Sequence, residues 1–562
     1  DMNNKINKWK NFKDLDPNLK VLLEKASEAE LQDAFYTDLE FGTAGMRGLL
    51  GVGPNRLNIY TIRKANLAFA RYLLQYPHAK ERGVAIAYDN RHMSKEFAME
   101  SAAVLAKNGI KSYVFSSLRP TPELSYAVRY LECEGGIVVT ASHNPKEYNG
   151  YKVYDDKGCQ LVPHLIDQVI AEINKIEDEL SIDVSLNDHQ KKLIHLIDKE
   201  VDVPYLKAVM GCALRPDLDK SKVKLVFTPQ HGTANIPVRE VLAKAGYLTI
   251  PLLSQCDPDP DFSNTKSPNP EEKIAYEGAI ALAKAEHADG VLSTDPDADR
   301  LGVAVLHQGE YILLTGNQTG SILIDYCFSS RKELGKMPVN PVMFNTVVTS
   351  DLGEKVATAY GVETEKTLTG FKFIGDKIAQ YEVNHKKNFV FGYEESYGYL
   401  FEPFVRDKDA IQACLLLAEC ITYHKNHGKT LVDVLNGLYD RFGTHLEEQV
   451  SLTLKGEEGA LRIKTILNHF RTETIESFAG IKVIGKEDYM TSIKLDHGKQ
   501  SLLDYPKSDV IKYFLEDGSW LAIRPSGTEP KCKFYFCIVA KDQPSVKAKF
   551  NAIKEDLQKH YQ

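Results

Sequence analysis

Short apolar runs that end in polar loops rich in glycine, proline or asparagine alternate with amphipathic stretches through most of this chain. That alternation is the pattern of α/β layers, and it confines the fold to strands packed between helices. The runs predicted as strands are 84–88, 136–140, 224–227, 290–293, 301–305, 341–344 and 389–391. Three of them, beginning at Val84, Lys224 and Pro341, have a similar apolar-then-polar character and lie 140 and 117 residues apart, which suggests three related units. In open α/β sheets ligands bind beyond the strand ends, so the loops after these runs are where chemistry is expected.

At 562 residues the chain has material for about three to five domains. Composition and turn signals put junctions near 202–204, 315–320 and after 443, giving domains at 1–204, 205–317, 318–445 and 446–562. The last shifts to charged helices and short strands at 520–523 and 533–538. The expected class is α/β, with three related mixed α/β domains and a smaller C-terminal α+β domain. At the other end, Leu19, Leu22, Leu23, Ala26, Leu31 and Phe35 recur at near-helical spacing, which predicts one amphipathic helix over 17–40.

Sixty-nine basic residues against 77 acidic ones leave a net charge of −8, the opposite of a nucleic-acid-binding footprint. No apolar run approaches the roughly 20 residues that span a bilayer. The first twenty residues are polar and hold no stretch of signal-peptide length. Nine cysteines, an odd number with no CxxC pair, fit a reducing cytoplasm better than a disulfide framework. No protein partner is indicated.

Four loops carry chemistry. Asp295-Pro296-Asp297-Ala298-Asp299-Arg300 sets three carboxylates at alternate positions between two strands, a set that can converge on one hard cation. An EF-hand would need Gly and Glu where Arg300 and Leu306 stand. Mg²⁺ with a phosphate oxygen completing its shell is the better fit, and a solvated acidic turn is the alternative. Thr140-Ala141-Ser142-His143-Asn144-Pro145, followed by Lys152, offers an exposed serine nucleophile and a lysine able to hold phosphate or move a proton. A Ser-His hydrolase would carry the GxSxG elbow that is missing here, while a plain Asn-Pro turn stays open.

Gly392-Tyr393-Glu394-Glu395-Ser396-Tyr397-Gly398 pairs carboxylates with a hydroxyl, suited to sugar hydroxyls, or is simply a capped polar loop. The nearby run Arg406-Asp407-Lys408-Asp409 reads as solvated charge unless it faces a phosphate. Arg524-Pro525-Ser526-Gly527-Thr528-Glu529-Pro530-Lys531 can wrap a phosphate with a guanidinium, two hydroxyls and backbone N–H groups. The single GKT, at 428–430, has Tyr423 in place of the first glycine of a Walker loop, so an NTPase is excluded.

In this order the four loops resemble the α-D-phosphohexomutase superfamily across nearly the whole chain: TASHNP its phosphoserine loop, DPDADR its metal loop, GYEESYG its sugar loop and RPSGTEPK its phosphate loop. Phe41-Gly42-Thr43-Ala44-Gly45-Met46-Arg47-Gly48 resembles its N-terminal GTxGxR element. The resemblance implies four domains around one central cleft, with a loop from each. GYEESYGY, the following PFVRDKD and the length are most similar to the branch containing bacterial α-phosphoglucomutases and animal phosphopentomutases.

On that resemblance Ser142 bears the transferred phosphoryl group, and Asp295, Asp297 and Asp299 bind Mg²⁺ together with Ser142. Lys152 and Arg47 stabilise the transferring phosphate or assist the proton. His143, Arg300, Thr369, Lys372, Glu394 and Ser396 contact substrate, and Arg524, Ser526, Gly527 and Thr528, with Lys408, hold the non-reacting phosphate. Lys408 is the least secure of these, because the spacing from Ser396 departs from better-known members. The implied reaction converts α-glucose 1-phosphate to glucose 6-phosphate through glucose 1,6-bisphosphate. Phosphopentomutase, phosphomannomutase and, last, a non-catalytic sugar-phosphate binder are the alternatives.

Overall fold

The computed structural model describes residues 1–42, 44–526 and 530–562, in two compact units: Asp1–Gly316 with Phe371–Thr430, and Asn317–Gly370 with Leu431–Gln562. The first unit holds a six-stranded sheet in the order Met46–Leu49, Tyr148–Tyr154, Gly135–Val139, Val84–Tyr88, Ser112–Phe115, Ile194–Ile197. Its last four strands are parallel, and Tyr148–Tyr154 runs antiparallel to both its neighbours, Gly135–Val139 and Met46–Leu49. Strand Val84–Tyr88 is buried on both faces. Val84, Ile86 and Tyr88 pack into a core with helices Ile59–Leu73 and Ser94–Lys107, whereas Ala85 and Ala87 pack into another with Thr121–Tyr130. Burial on both faces is why the parallel strands read as continuous apolar runs.

A second sheet follows in the order Glu310–Leu314, Leu301–His307, Gly290–Thr294, Lys224–Thr228, Leu248–Pro251. Leu301–His307 returns antiparallel beside Gly290–Thr294, with Leu301 opposite Thr294, so the acidic loop is the tight connection of a hairpin. A further hairpin, Asn388–Glu394 with Gly398–Leu400, packs against helix Phe371–Asn384 and is followed by the almost wholly buried helix Ala410–Asn426.

In the second unit Pro341–Thr346 pairs in parallel with Glu363–Thr367. Its C-terminal sheet is antiparallel, built on the ten-residue register between Thr444–Thr453 and Lys531–Ala540 and continuing through Trp520–Pro525, Ile511–Leu515 and Ile481–Asp488. Helices Gly456–Thr472 and Gln543–Lys559 contribute to its core. Three α/β portions and an α+β C-terminal portion agree with the expected class. No described helix is long and apolar enough to cross a membrane.

The predicted strands are found with ends moved by up to three residues. Two expectations are corrected. Residues 17–40 form two helices, Pro17–Lys25 and Glu28–Phe35, because Ser27 Oγ accepts the Glu30 N–H at 3.2 Å and starts a new helix. The polar N-terminus also forms a helix, Met2–Asn11, which buries Ile6 and Trp9, and the Trp9 indole donates to Glu179 at 3.2 Å. The Arg406–Asp409 run is not solvated either: Arg406, Asp407 and Asp409 are buried. Asp407 accepts from the Tyr154 hydroxyl at 2.7 Å, and Asp409 caps helix Ala410–Asn426 while accepting from Tyr205.

Candidate active site

Strand Gly135–Val139 ends beside Val84–Tyr88, and the loop after it turns through Ser142 at φ 54°. A left-handed serine is uncommon and persists only where its surroundings hold it. Thr140 Oγ accepts the Ser142 N–H at 3.0 Å, and the buried hydroxyl of Ser142 lies 3.3 Å from both Asp295 Oδ2 and His143 Nδ1. The side chain is thereby aimed at the acidic loop.

That loop is folded inward. Ala298 takes φ 58°, its N–H donates to Asp295 O at 3.1 Å, and the Arg300 N–H donates to Asp295 Oδ1 at 3.2 Å. Asp295, Asp297 and Asp299 are all buried, with ligand oxygens within 4.8 Å of one another. Three buried carboxylates this close need compensating charge. Lys152 Nζ stands 3.6 Å from Asp297, and Lys408 Nζ stands 3.3 Å from Asp299. Burial and the two neighbouring carboxylates raise the Asp295 pKa far above the usual range. At Asp299 burial acts the same way but is outweighed by Lys408, Lys152 and Arg300, so its pKa falls.

Asp297 Oδ1 and Asp299 Oδ1 are buried without a hydrogen-bond partner. Orphaned oxygens in an all-oxygen set fit a hard divalent cation, and Mg²⁺ satisfies that chemistry.

Around the triad the expected residues assemble in part. Arg47, on strand Met46–Leu49, donates to Asn144 Oδ1 at 3.0 Å and so borders the serine loop. Gly45 just before it has φ 90°, and a Cβ there would strike the Tyr151 carbonyl, so the GTxGxR glycine allows this turn to lie on the strand that carries Lys152. Burial, with Arg300 and Arg47 nearby, holds the His143 pKa down to about 2, leaving a neutral imidazole.

Arg300 bridges to Gly398 of the 388–400 hairpin, and the Leu301 N–H donates to Tyr397 O at 3.0 Å. Glu394 is buried at the end of its strand, opposite Gly398, with Ser396 half-buried in the turn beyond. Lys372 opens helix Phe371–Asn384 and is buried, its pKa lowered to about 8 by burial against the opposing pull of Cys159 and Glu394.

The remaining residues belong to the second unit. Thr369 Oγ1 is buried there without a hydrogen-bond partner. Arg524 donates to the Tyr535 hydroxyl at 3.3 Å, and the Ser526 N–H donates to Lys531 O at 2.8 Å. Gly527 and Thr528, like Thr43 of the N-terminal element, lie outside the described residues.

Sequence reasoning missed several supporting residues. Thr121 Oγ donates to Asp297 Oδ2 at 2.8 Å, and its N–H donates to Asp297 O at 2.9 Å. Thr233 binds Pro296 O through both N–H and hydroxyl, at 2.7 and 2.8 Å, and Gly232 lies too close to Pro296 to admit a Cβ. Asp89 and Arg91 hold the serine loop from behind. Their signal was present, since Asp89-Asn90-Arg91 follows strand Val84–Tyr88 as the other loops follow theirs.

Residues 38–180, 203–309, 315–442 and 473–543 match in order the phosphoglucomutase/phosphomannomutase alpha/beta/alpha domains I, II and III and the C-terminal domain of that family. A phosphoglucomutase of Staphylococcus aureus strain MRSA252 is 40% identical over 539 residues, 95% of this chain and 96% of the other. The open form of parafusin, a Paramecium phosphoglucomutase, superposes with a TM-score of 0.68 at 20% identity, covering 94% of this chain and 96% of that one. A phosphoglucomutase/phosphomannomutase family protein from Burkholderia thailandensis gives 0.67 at 18% identity, over 92% and 97%.

Proposed function

The chain belongs to the phosphoglucomutase/phosphomannomutase family and is a phosphohexomutase, and from that premise we propose that it interconverts α-D-glucose 1-phosphate and glucose 6-phosphate through phosphoserine 142 and glucose 1,6-bisphosphate. The observation that carries the reading is Ser142 Oγ, 3.3 Å from Asp295 inside a triad of carboxylates flanked by Lys152 and Lys408.

In the first half-reaction a sugar hydroxyl attacks the phosphoryl group on Ser142. The P–Oγ bond breaks, a P–O bond to the sugar forms, and the proton of the sugar hydroxyl ends on Ser142 Oγ, with Lys152 relaying it. In the second, the other phosphate of the bisphosphate returns to Ser142 by the reverse path. Arg47 and Lys152 offset charge on the phosphoryl oxygens, which is most of what this transfer requires. Ser142, Asp295, Asp297 and Asp299 would hold Mg²⁺, which supplies Lewis-acid stabilisation of those oxygens.

His143, Arg300, Thr369 and Lys372 line the substrate, and Glu394 and Ser396 accept and donate hydrogen bonds at its hydroxyls. Arg524, Ser526, Gly527 and Thr528 are assigned to binding the distal phosphate, and Lys408 is assigned separately to phosphate binding. The functional lobes are proposed as 1–204, 205–317, 318–445 and 446–562. All nine cysteines are buried and outside any disulfide among the described residues, in keeping with the reducing cytoplasm we propose.

The test is turnover of Ser142→Ala beside wild type on glucose 1-phosphate, mannose 1-phosphate and ribose 1-phosphate, with intact mass of both proteins. Loss of turnover and of one covalent phosphoryl group is expected, with glucose 1-phosphate the best substrate of the wild type. A near-wild-type rate in the alanine variant sinks the serine assignment, and a higher kcat/KM for ribose 1-phosphate makes the enzyme a pentomutase.

A further inference from the structure

The Arg91 side chain is completely buried. It donates from Nη2 to Ser142 O and Asn144 O, both at 2.6 Å, and from Nη1 to Pro145 O at 2.8 Å and Tyr148 O at 3.3 Å. One planar fork thus gathers four carbonyls of the serine loop. Its Nε lies 3.2 Å from Asp89 Oδ2, and the same oxygen accepts the Thr140 hydroxyl at 2.6 Å. Because Thr140 also receives the Ser142 N–H, the N–H and the C=O of Ser142 are both tied to one Asp89–Arg91 pair. That is the restraint its left-handed backbone requires.

The other face of Arg91 is covered from the second sheet. The Phe262 ring lies 5.3 Å from the guanidinium carbon, Asn90 donates to Asp259 O at 2.9 Å, and His92 pairs with Asp261 at 2.8 Å. The 257–264 segment is itself held by His231, which donates from Nδ1 to Asp257 O at 2.8 Å and accepts the Asn264 N–H on Nε2 at 3.2 Å. Two residues on, Thr233 grips Pro296 of the acidic loop. One stretch of chain therefore fixes both the acidic loop and the segment lying on Arg91.

We propose that Arg91, covered by Phe262, is a positioning residue that sets the angle of Ser142 toward Asp295, coupling the phosphoserine loop to the metal loop without touching substrate. The proposal rests on Ser142 being the phosphoryl carrier. With the fork lost, the loop relaxes and the phosphoryl group no longer meets the sugar hydroxyl in line, while the sugar's own contacts persist. Transfer slows, substrate binding holds, and water competes better for the phosphoryl group.

Arg91→Lys keeps a cation beside Asp89 but loses the fork, and Phe262→Leu keeps Arg91 but removes its aromatic cover. The purified phosphoenzymes are compared for kcat, KM for glucose 1-phosphate, and the ratio of phosphoryl loss to water over transfer to sugar, all per mole of phosphoserine. Arg91→Lys should lower kcat about 10- to 100-fold, as an ångström-scale misplacement does, with KM within about twofold and the water-to-sugar ratio raised. Phe262→Leu should move in the same direction by less, and it carries the test if the lysine variant does not fold. Unchanged kcat per phosphoserine, or a loss that lies in KM alone, overturns the proposal. Wild-type enzyme that carries its phosphoryl group elsewhere than Ser142 overturns the serine reading instead.

Discussion

Gly398 offers a way to displace Lys408 without touching a charge. A Cβ at Gly398 would lie 2.6 Å from Lys408 Cγ and 3.3 Å from its Cβ, and closer still to Cδ. The backbone there has no positive φ, and the three atoms nearest an alanine Cβ all belong to the lysine stem, which must swing off Asp299. Overpacking of this kind costs about 1–3 kcal/mol. Lys408→Ala breaks a mostly buried pair directly and costs about 3 kcal/mol, near the low end for such pairs because Lys152 and Arg300 still act on Asp299. Were the two effects independent, the double variant would lose about 4–6 kcal/mol. If the alanine acts through the lysine stem, the double variant loses about 3 kcal/mol, since no stem remains to collide with. Urea unfolding of the four chelator-treated proteins measures that cycle. Repeating it in Mg²⁺ should shrink the Lys408→Ala deficit, because a cation at the triad supplies the charge the lysine gave. Losses that add within about 0.5 kcal/mol would refute the reasoning.

Asp297→Ala removes one of three oxygen ligands, so chelator-treated enzyme should need at least about tenfold more Mg²⁺ for half-maximal activity, and an unchanged titration curve would contradict the site. Glu394→Gln keeps an acceptor but loses its charge, weakening each bond from a sugar hydroxyl by about 1 kcal/mol, so kcat/KM should fall unequally across glucose, mannose and ribose 1-phosphates, and an equal fall on all three would remove Glu394 from sugar recognition. His143 is held neutral in the fold, with its pKa at about 2, while the unfolded chain takes up a proton below about 6.5. Its contribution therefore turns destabilising as pH falls through about 6.5, by as much as 1.4 kcal/mol per pH unit. His143→Gln should flatten the stability profile between pH 4.5 and 6.5, and parallel profiles would count against a neutral imidazole at this half-buried position.

What could be read in the sequence follows from which interactions are local. Strand 84–88 was legible to the residue because burial on both faces demands an unbroken apolar run, and the four loops were legible because strand ends expose them. Helix Met2–Asn11 was not, since two side chains, Ile6 and Trp9, make its whole buried face. The break at Ser27 was legible in principle: Ser27-x-x-Glu30 is a helix start, overridden in the reading by a longer periodicity. The charged run at 406–409 misled for a different reason. Its partners Tyr154, Tyr205 and Asp299 are 253, 204 and 109 residues away, and no spacing rule reaches them.

The same limit separates the ligands of the site from the groups that make them usable. Asp295, Asp297 and Asp299 stand out because their alternation is itself the signal. What sets their charge does not: Ser142 and Arg300 serve Asp295, Thr121 and Lys152 serve Asp297, and Lys408 serves Asp299, from several separate segments. Ser142 and Arg300 lie in motifs and Lys152 and Lys408 beside them, but which carboxylate each one serves is set only when the order of strands brings its loop to the triad. A motif can therefore name where a cation and a phosphoryl group would meet. How strongly each carboxylate is held ionised, and at what angle Ser142 faces them, is decided by contacts such as Lys408 to Asp299 and Arg91 to Ser142 O, which only the folded chain makes.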